Sequence, residues 1–220
     1  MTDLVQPFWK PVKWTSFDVV RKVRSVTKVR KVGHAGTLDP FAEGVLVLCL
    51  GKATKRVSQL MDLDKEYLSR IKLGTTTDTL DPSGAVTDTA PVPALSRSII
   101  LEILDRFVGT IEQVPPMYSA LKVNGTRLYQ LARAGKTVPR DSRKVRIYDI
   151  DLVSWCPPDE LELRVTCGKG TYIRTLAADL ALALNTVGYL TALTRTRVGS
   201  YGQADAIRME QLTSWTPIVA

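Results

Sequence analysis

Cysteine and histidine are scarce, and long apolar runs are missing. The three cysteines, Cys49, Cys156 and Cys167, are odd in number and widely spaced, with no Cys-x-x-Cys pair. That pattern argues against a disulfide framework and against a zinc site, and it suits a reducing compartment. Each cysteine reads as a small buried hydrophobe. The longest aliphatic run, Val45 to Leu50, is about a third of what a membrane-spanning helix requires. The segment from Met1 to Trp14 carries prolines, lysines and an aspartate, and it lacks the apolar core of a signal peptide. A cytoplasmic protein without membrane contact is the expectation. Internal repeats, low-complexity tracts and a convincing interdomain linker are also missing, so residues 1–220 read as a single domain.

What the chain does have is ordinary globular content and unevenly placed charge. Its 45% hydrophobic and 24% charged residues are those of a packed soluble protein. The net charge is +8, but residues 1–60 hold 11 Lys/Arg against 4 Asp/Glu, and residues 115–146 hold 8 against Asp141 alone. Each segment is therefore +7, and the remainder is −6. Two concentrated basic segments on an acidic scaffold are a footprint for a polyanion, and nucleic acid is favoured over a purely solubilising role.

The only histidine stands in Gly33-His34-Ala35-Gly36-Thr37-Leu38-Asp39-Pro40, five positions before an aspartate. Gly33 and Gly36 let the backbone turn sharply or approach a ligand. Pro40 fixes its own φ and biases Asp39 toward an extended conformation. Asp-Pro alone is an ordinary turn. A carboxylate on so stiff a bend is still well placed to meet a substrate.

The flanking patterns place this motif among mixed elements. Thr15-x-x-Asp18 is a capping box, and Val19, Val20, Val23 and Val26 follow at helical spacing, with Arg21, Lys22, Arg24 and Lys28 mostly off that stripe. Val45 to Leu50 is short, β-branched and bounded by Gly44 and Gly51, which predicts a buried strand. Tyr67 to Leu73 alternates and puts Tyr67, Ser69, Ile71 and Leu73 on one face. Gly74 to Gly84 reads as a loop. Ser96 caps a helix carrying Ile99, Ile100, Ile103, Leu104 and Phe107, closed by Gly109. After Val114-Pro115-Pro116 come a basic segment with a short helix near Leu128 to Ala134, then strands over Val145–Val153 and Leu161–Cys167. Gly168-Lys169-Gly170 leads into a helix through Ile173, Leu176, Leu180 and Leu184. Without strict alternation of strand and helix, a mixed sheet is expected rather than a doubly wound parallel one.

The stretch Gly33 to Thr54 closely resembles the signature of the TruB family of tRNA pseudouridine-55 synthases. The resemblance covers about residues 10–200. It takes in Lys65-Glu66-Tyr67, Pro115-Pro116-Met117-Tyr118-Ser119-Ala120, Gly168-Lys169-Gly170-Thr171-Tyr172-Ile173-Arg174, and Leu193 with Arg195. It implies an α/β fold of the α+β type, the pseudouridine-synthase fold, with a mixed, mainly antiparallel central sheet flanked by helices. Residues 115–146 would then be a thumb-like insertion that grips RNA. The implied reaction is isomerisation of uridine in the tRNA T-loop, without cofactor or metal, by a monomer needing no protein partner. Asp39 is implied as the catalytic residue, Tyr67 as the ring that stacks on the uracil, and Arg174 as the guanidinium partner of the carboxylate. Leu193 is implied as a pocket wall, His34 as a support in the space the flipped base vacates, and Asp81 as a residue near the substrate. Ala35 stands where the family usually has Thr.

The chemistry needs these residue types. The bond from ribose to a uracil nitrogen must break, the base must turn, and a bond to carbon must form. A carboxylate can attack as a nucleophile or stabilise cationic character at the sugar. Burial alone would favour its protonated form, and a guanidinium opposes that. A uridine stacked in a folded loop must first be extruded, at a cost of about a few kcal/mol. Phosphate contacts can offset that cost. The candidates are Arg21, Lys22, Lys28, Arg30, Lys31 and Lys65, and, in the insertion, Lys122, Arg127, Arg133, Lys136, Arg143 and Lys144.

Rival readings remain open on sequence alone. One is an RNA chaperone descended from a synthase. Another is a hydrolase using Asp39 with Glu43 as a carboxylate pair, and a third is a guide-RNA-dependent synthase subunit. Only 22 residues follow Val198, too few for the small C-terminal RNA-binding domain that many family members carry. Residues 200–220 are expected to form a strand and a short helix ending near Trp215.

Overall fold

The computed structural model describes residues 3–123 and 125–215. The chain divides into two compact units, Met1–Leu68 with Leu193–Ala220, and Ser69–Ala192. The fold is the expected one, a mixed and mainly antiparallel sheet with flanking helices.

The first unit contains β1 (Leu4–Lys10), α1 (Ser16–Thr27), β2 (Val32–His34), β3 (Glu43–Leu50), α2 (Val57–Asp62) and the start of β4 (Lys65–Leu73). β3 runs antiparallel to β1, with Leu4 opposite Leu50 and Lys10 opposite Gly44, and antiparallel to β2, with His34 opposite Leu48. Every residue from Gly44 to Leu50 is buried. Leu46, Leu48 and Leu50 cluster with Val19, Val20 and Val23 of α1. Val45, Val47 and Cys49, pointing the other way, cluster with Ala53 and Leu60. A strand covered on both faces must be apolar throughout, which is why this run does not alternate. α1 is held at its start by the expected capping box, Thr15 with Asp18.

In the second unit β4 continues, followed by β5 (Thr75–Thr77), β6 (Val86–Thr89), α3 (Arg97–Asp105), β7 (Gly109–Gln113), β8 (Lys122–Val123), β9 (Thr126–Arg127) and α4 (Leu128–Arg133). Then come β10 (Arg143–Cys156), β11 (Glu160–Cys167), α5 (Ile173–Ala183) and β12 (Gly188–Val198). β10 is antiparallel to both β7 and β11. On β4, the alternating face is buried at Ser69, Ile71 and Leu73, as the period of two predicts. The basic insertion carries the β8–β9 hairpin and the short helix α4.

The end of β12 returns to the first unit and runs parallel to β3, with Thr194 opposite Glu43 and Arg195 opposite Gly44. β13 (Tyr201–Gly202) folds back on Arg197 and Val198. Instead of one short helix, the tail makes two 3₁₀ turns, Gln203–Asp205 and Met209–Gln211, and Trp215 sets its ring edge-on to Phe8 at 5.3 Å. The expected tail beyond Trp215 lies outside the described residues.

Four local expectations change. Cys156, expected as a small buried hydrophobe, is exposed on β10, whereas Cys49 and Cys167 are buried. The Gly74–Gly84 loop opens with a strand, because Thr75–Thr77 pairs with Val86–Thr89. α3 stops at Asp105, so Gly109 does not close it but opens β7 at φ +118°. Ile99 is exposed, leaving Ile100, Ile103 and Leu104 as the buried face. Among the described residues no helix is long and apolar enough to cross a membrane.

Candidate active site

Asp39 lies in the irregular segment between β2 and β3 and is half-buried. Its neighbours on either side are pinned. The Ser16 hydroxyl accepts from Leu38 N–H at 2.9 Å and donates to Leu38 C=O at 3.3 Å. Pro40 C=O accepts from Lys13 N–H at 2.7 Å and from Lys10 Nζ at 3.5 Å. Ala42 N–H then turns back onto Asp39 C=O at 3.1 Å. Ser16 follows the N-cap of α1, so the helix that displays cations outward also fixes the Asp39 peptide from within.

Lys10 ends β1 with no exposed surface. Its ammonium also donates to Trp14 C=O at 2.6 Å and Pro11 C=O at 2.9 Å. Burial pulls its pKa from 10.5 down to about 8; Asp39 and Glu43 oppose that shift, and Arg195 adds to it. No motif in the sequence singles out Lys10, because the short, proline-containing segment Leu4–Lys10 does not announce itself as a strand. A lysine closing an apolar stretch just ahead of the capping box was the available signal.

Arg195, on β12, is 1% exposed and donates to Val45 C=O at 2.7 Å, Gly36 C=O at 3.2 Å and Thr37 C=O at 3.4 Å. His34 is half-buried, and its Nδ1 has no hydrogen-bond partner among the described residues. Desolvation, followed by the Arg195 charge, lowers its pKa below the ordinary 6.5, while a hydrogen bond with Gly36 backbone opposes this. The imidazole is therefore neutral at pH 7, which suits a support role and not a cationic one. Tyr67 and Leu193 are buried in the same unit, on β4 and β12.

Arg174 and Asp81 belong to the second unit, and the structure brings these two together. Arg174, on the first turn of α5, is 3% exposed. Its Nη1 donates to Thr79 C=O at 2.7 Å and lies 3.4 Å from Asp81 Oδ2; its Nη2 donates to Tyr118 C=O at 2.7 Å. Asp81 in turn accepts from Thr79 hydroxyl and from the Ser83 N–H. The loop rich in Thr and Asp and the Pro-Pro-Met-Tyr-Ser segment thus share one task, which is to aim a buried guanidinium. Gln113, which sequence reading did not single out, clamps the peptide just before α5. It accepts from Tyr172 N–H at 3.0 Å and donates to Tyr172 C=O at 3.3 Å, and it is 2% exposed. No sequence pattern marks a single glutamine for such a role.

Of the expected RNA contacts, Arg21, Lys22, Lys28, Arg30 and Lys31 are exposed in the first unit, and Lys122, Arg127, Arg133, Lys136, Arg143 and Lys144 in the second. Lys65 differs. It is buried, and its ammonium caps Met61 C=O and Leu63 C=O at the end of α2, which makes it a structural cation. Among the described residues no group of three or more His, Cys, Asp or Glu is placed to hold a metal ion.

Residues 24–173 match the model of the TruB family pseudouridylate synthase N-terminal domain, about two thirds of the chain. The chain belongs to the TruB family. Residues 174–217, beginning at Arg174 itself, match the tRNA pseudouridylate synthase B C-terminal domain. Among relatives, the tRNA pseudouridine synthase B of Phocaeicola vulgatus is 46% identical over 215 residues, covering 94% of this chain and 91% of that protein. That of Clostridium kluyveri is 51% identical over 205 residues, covering 93% and 70%. Among solved structures, the crystal structure of a Cbf5–Nop10–Gar1 complex is similar with a TM-score of 0.75 at 28% identity. The match covers 96% of this chain, which spans about half, 54%, of the protein in that structure.

Proposed function

We propose that the protein isomerises uridine to pseudouridine in the T-loop of tRNA, at position 55, by flipping the base and rearranging its glycosidic bond at Asp39. The observation that carries this reading is the Asp39 loop of a TruB-family chain, held by Ser16, Lys13, Lys10 and Arg195 on both sides of the carboxylate. Such rigidity has a chemical use, since a carboxylate held in one place loses little entropy when it meets its target. The relatives named tRNA pseudouridine synthase B support tRNA as the substrate.

In this reading Asp39 either attacks the base or stabilises the sugar as the C–N bond breaks. Tyr67 offers a flat wall for the uracil, with a polar tip that can handle the proton leaving the new carbon bond. Arg174 is the guanidinium that keeps a carboxylate ionised under low exposure. His34 and Leu193 shape the pocket beside the carboxylate, and Asp81 orients Arg174. The product is an isomer of the substrate, so the reaction consumes no oxidant, reductant or co-substrate. The exposed cations of the two basic segments grip phosphates and offset the cost of extruding the nucleotide, about a few kcal/mol. The protein acts as a monomeric, cytoplasmic, single catalytic domain.

The test is incubation with an unmodified tRNA transcript, followed by chemical mapping of pseudouridine. One new pseudouridine in the T-loop, in RNA of unchanged mass, is expected. Released uracil would point to a hydrolase, and no product from transcript alone to an inactive RNA binder or a guide-dependent subunit.

A further inference from the structure

We propose that Arg195 is a positioning residue for Asp39, acting as a three-point clip on the backbone of the catalytic loop. This rests on the reading that Asp39 is the catalytic carboxylate of a pseudouridine-forming enzyme.

The geometry assigns the guanidinium an unusual task. All three of its hydrogen bonds in the first unit go to main-chain carbonyls, and they span the motif: Gly36 and Thr37 before Asp39, and Val45 after it. Ala35 N–H is anchored on Val47 C=O, and the Leu38 peptide on Ser16. Arg195 holds the two residues between those anchors. The planar fork presents its donors in fixed directions to carbonyls on two segments, whereas a lysine ammonium is a point charge on a flexible stem that holds no such fixed directions.

The clip is itself rigid. Gly36 sits at φ +106°, and a Cβ there would lie 3.6 Å from Arg195 Nη1, so the loop closes directly onto the guanidinium. The backbone of Arg195 runs against Gly44, where a Cβ would stand 2.3 Å from the Arg195 carbonyl oxygen. Both the root of the side chain and its tip are therefore fixed. A fully buried cation is also expensive in desolvation, and an apolar side chain would fill the same space at lower cost. What the apolar residue could not do is orient the Gly36 and Thr37 peptides. With them free, the Asp39 carboxylate shifts, and a misplacement of about 1 Å in a reacting group costs about 100-fold in rate.

The experiment uses the full chain carrying Arg195→Lys or Arg195→Gln, with unmodified tRNA transcript. Pseudouridine is counted in a single turnover at saturating enzyme, and the rate is expressed per tRNA-bound molecule, so that unfolded protein does not enter. Tight tRNA binding near the wild-type constant is expected, with the rate lowered about 100-fold. In Arg195→Ala, added methylguanidinium should recover part of the rate and methylammonium should not. A wild-type rate in Arg195→Lys overturns the proposal. So does a parallel loss of rate and affinity, and so does failure of every variant to fold, either of which makes Arg195 a determinant of the fold only. If the unsubstituted protein forms no pseudouridine, the functional reading has failed and not this inference.

Discussion

Gly44 and Gly109 form a natural pair for measuring how tightly the Asp39 loop is packed. Their backbones are almost the same, φ +117° and +118°, a region that L residues rarely adopt. Their surroundings are opposite. A Cβ on Gly109 meets nothing within 4 Å, whereas one on Gly44 would stand 2.3 Å from Arg195 O, 2.7 Å from Arg195 N and 2.9 Å from Arg195 C. Gly109→Ala therefore carries the conformational penalty alone, about 1–3 kcal/mol. Gly44→Ala carries that penalty plus a clash with main chain, which no rotamer can relieve; overpacking of this kind adds about 1–3 kcal/mol. The expected loss for Gly44→Ala is thus about 2–6 kcal/mol, a large share of the 5–15 kcal/mol, roughly, that holds a domain together. Urea unfolding followed by circular dichroism gives both values, compared at matched slopes so that the denatured states are alike. Equal losses in the two variants, or a smaller one for Gly44→Ala, would refute the parallel packing of Gly44 against Arg195 and with it the rigidity claimed for the loop.

Other outcomes follow from the same contacts. Affinity for tRNA should fall steeply with salt, and Arg133→Ala should flatten the log–log slope by about 0.7–0.9, the share of one phosphate contact; an unchanged slope removes Arg133 from the interface. Gln113→Ala removes the amide clamp from Tyr172 N–H, while Tyr172 C=O keeps Leu176 N–H, and should cost about 1–3 kcal/mol in urea unfolding, with slower catalysis through Arg174. A loss of stability without any change in rate would separate the clamp from catalysis. Lys10 has a folded pKa of about 8 against 10.5 unfolded. Between those values the unfolded chain still binds the proton that the folded chain has released, so this group makes stability rise with pH, by at most roughly 3 kcal/mol. Lys10→Met should flatten that rise between about pH 8 and about pH 10.5, and an identical pH dependence in the two proteins contradicts the assigned burial.

Much of the fold could be read from local pattern. The capping box at Thr15, the buried run Val45–Leu50, the alternation on Tyr67–Leu73 and the helix after Gly170 all appear where their periodicities put them. β1, β2, β7 and β12 were not legible. β12 contains Thr191, Thr194, Arg195, Thr196 and Arg197, and its place in the sheet beside β3 and β4 makes such a polar sequence a partly buried strand. Gly109 looked like a helix stop because glycine serves a C-cap and a strand entry equally well. Asp39, Tyr67 and Arg174 were expected as site residues because a motif names their side chains. Ser16, Lys10 and Gln113 escaped, and Arg195 was noted without a role, because they act on backbone groups far away in sequence, a role that leaves no periodic or compositional trace. Lys65 was misplaced for the converse reason: a lysine beside a motif looks like a phosphate ligand until its ammonium is seen capping a helix end.

The shortest route to the heart of the account is a single comparison, Asp39→Asn against the unsubstituted protein, with pseudouridine mapped in a tRNA transcript under conditions where both proteins are fully tRNA-bound. Loss of all turnover with tRNA affinity retained is the predicted result, since the amide keeps the size and the backbone anchors of the aspartate but not its charge. Continued pseudouridine formation by Asp39→Asn, or loss of binding together with activity, would contradict the assignment of the reaction to this carboxylate.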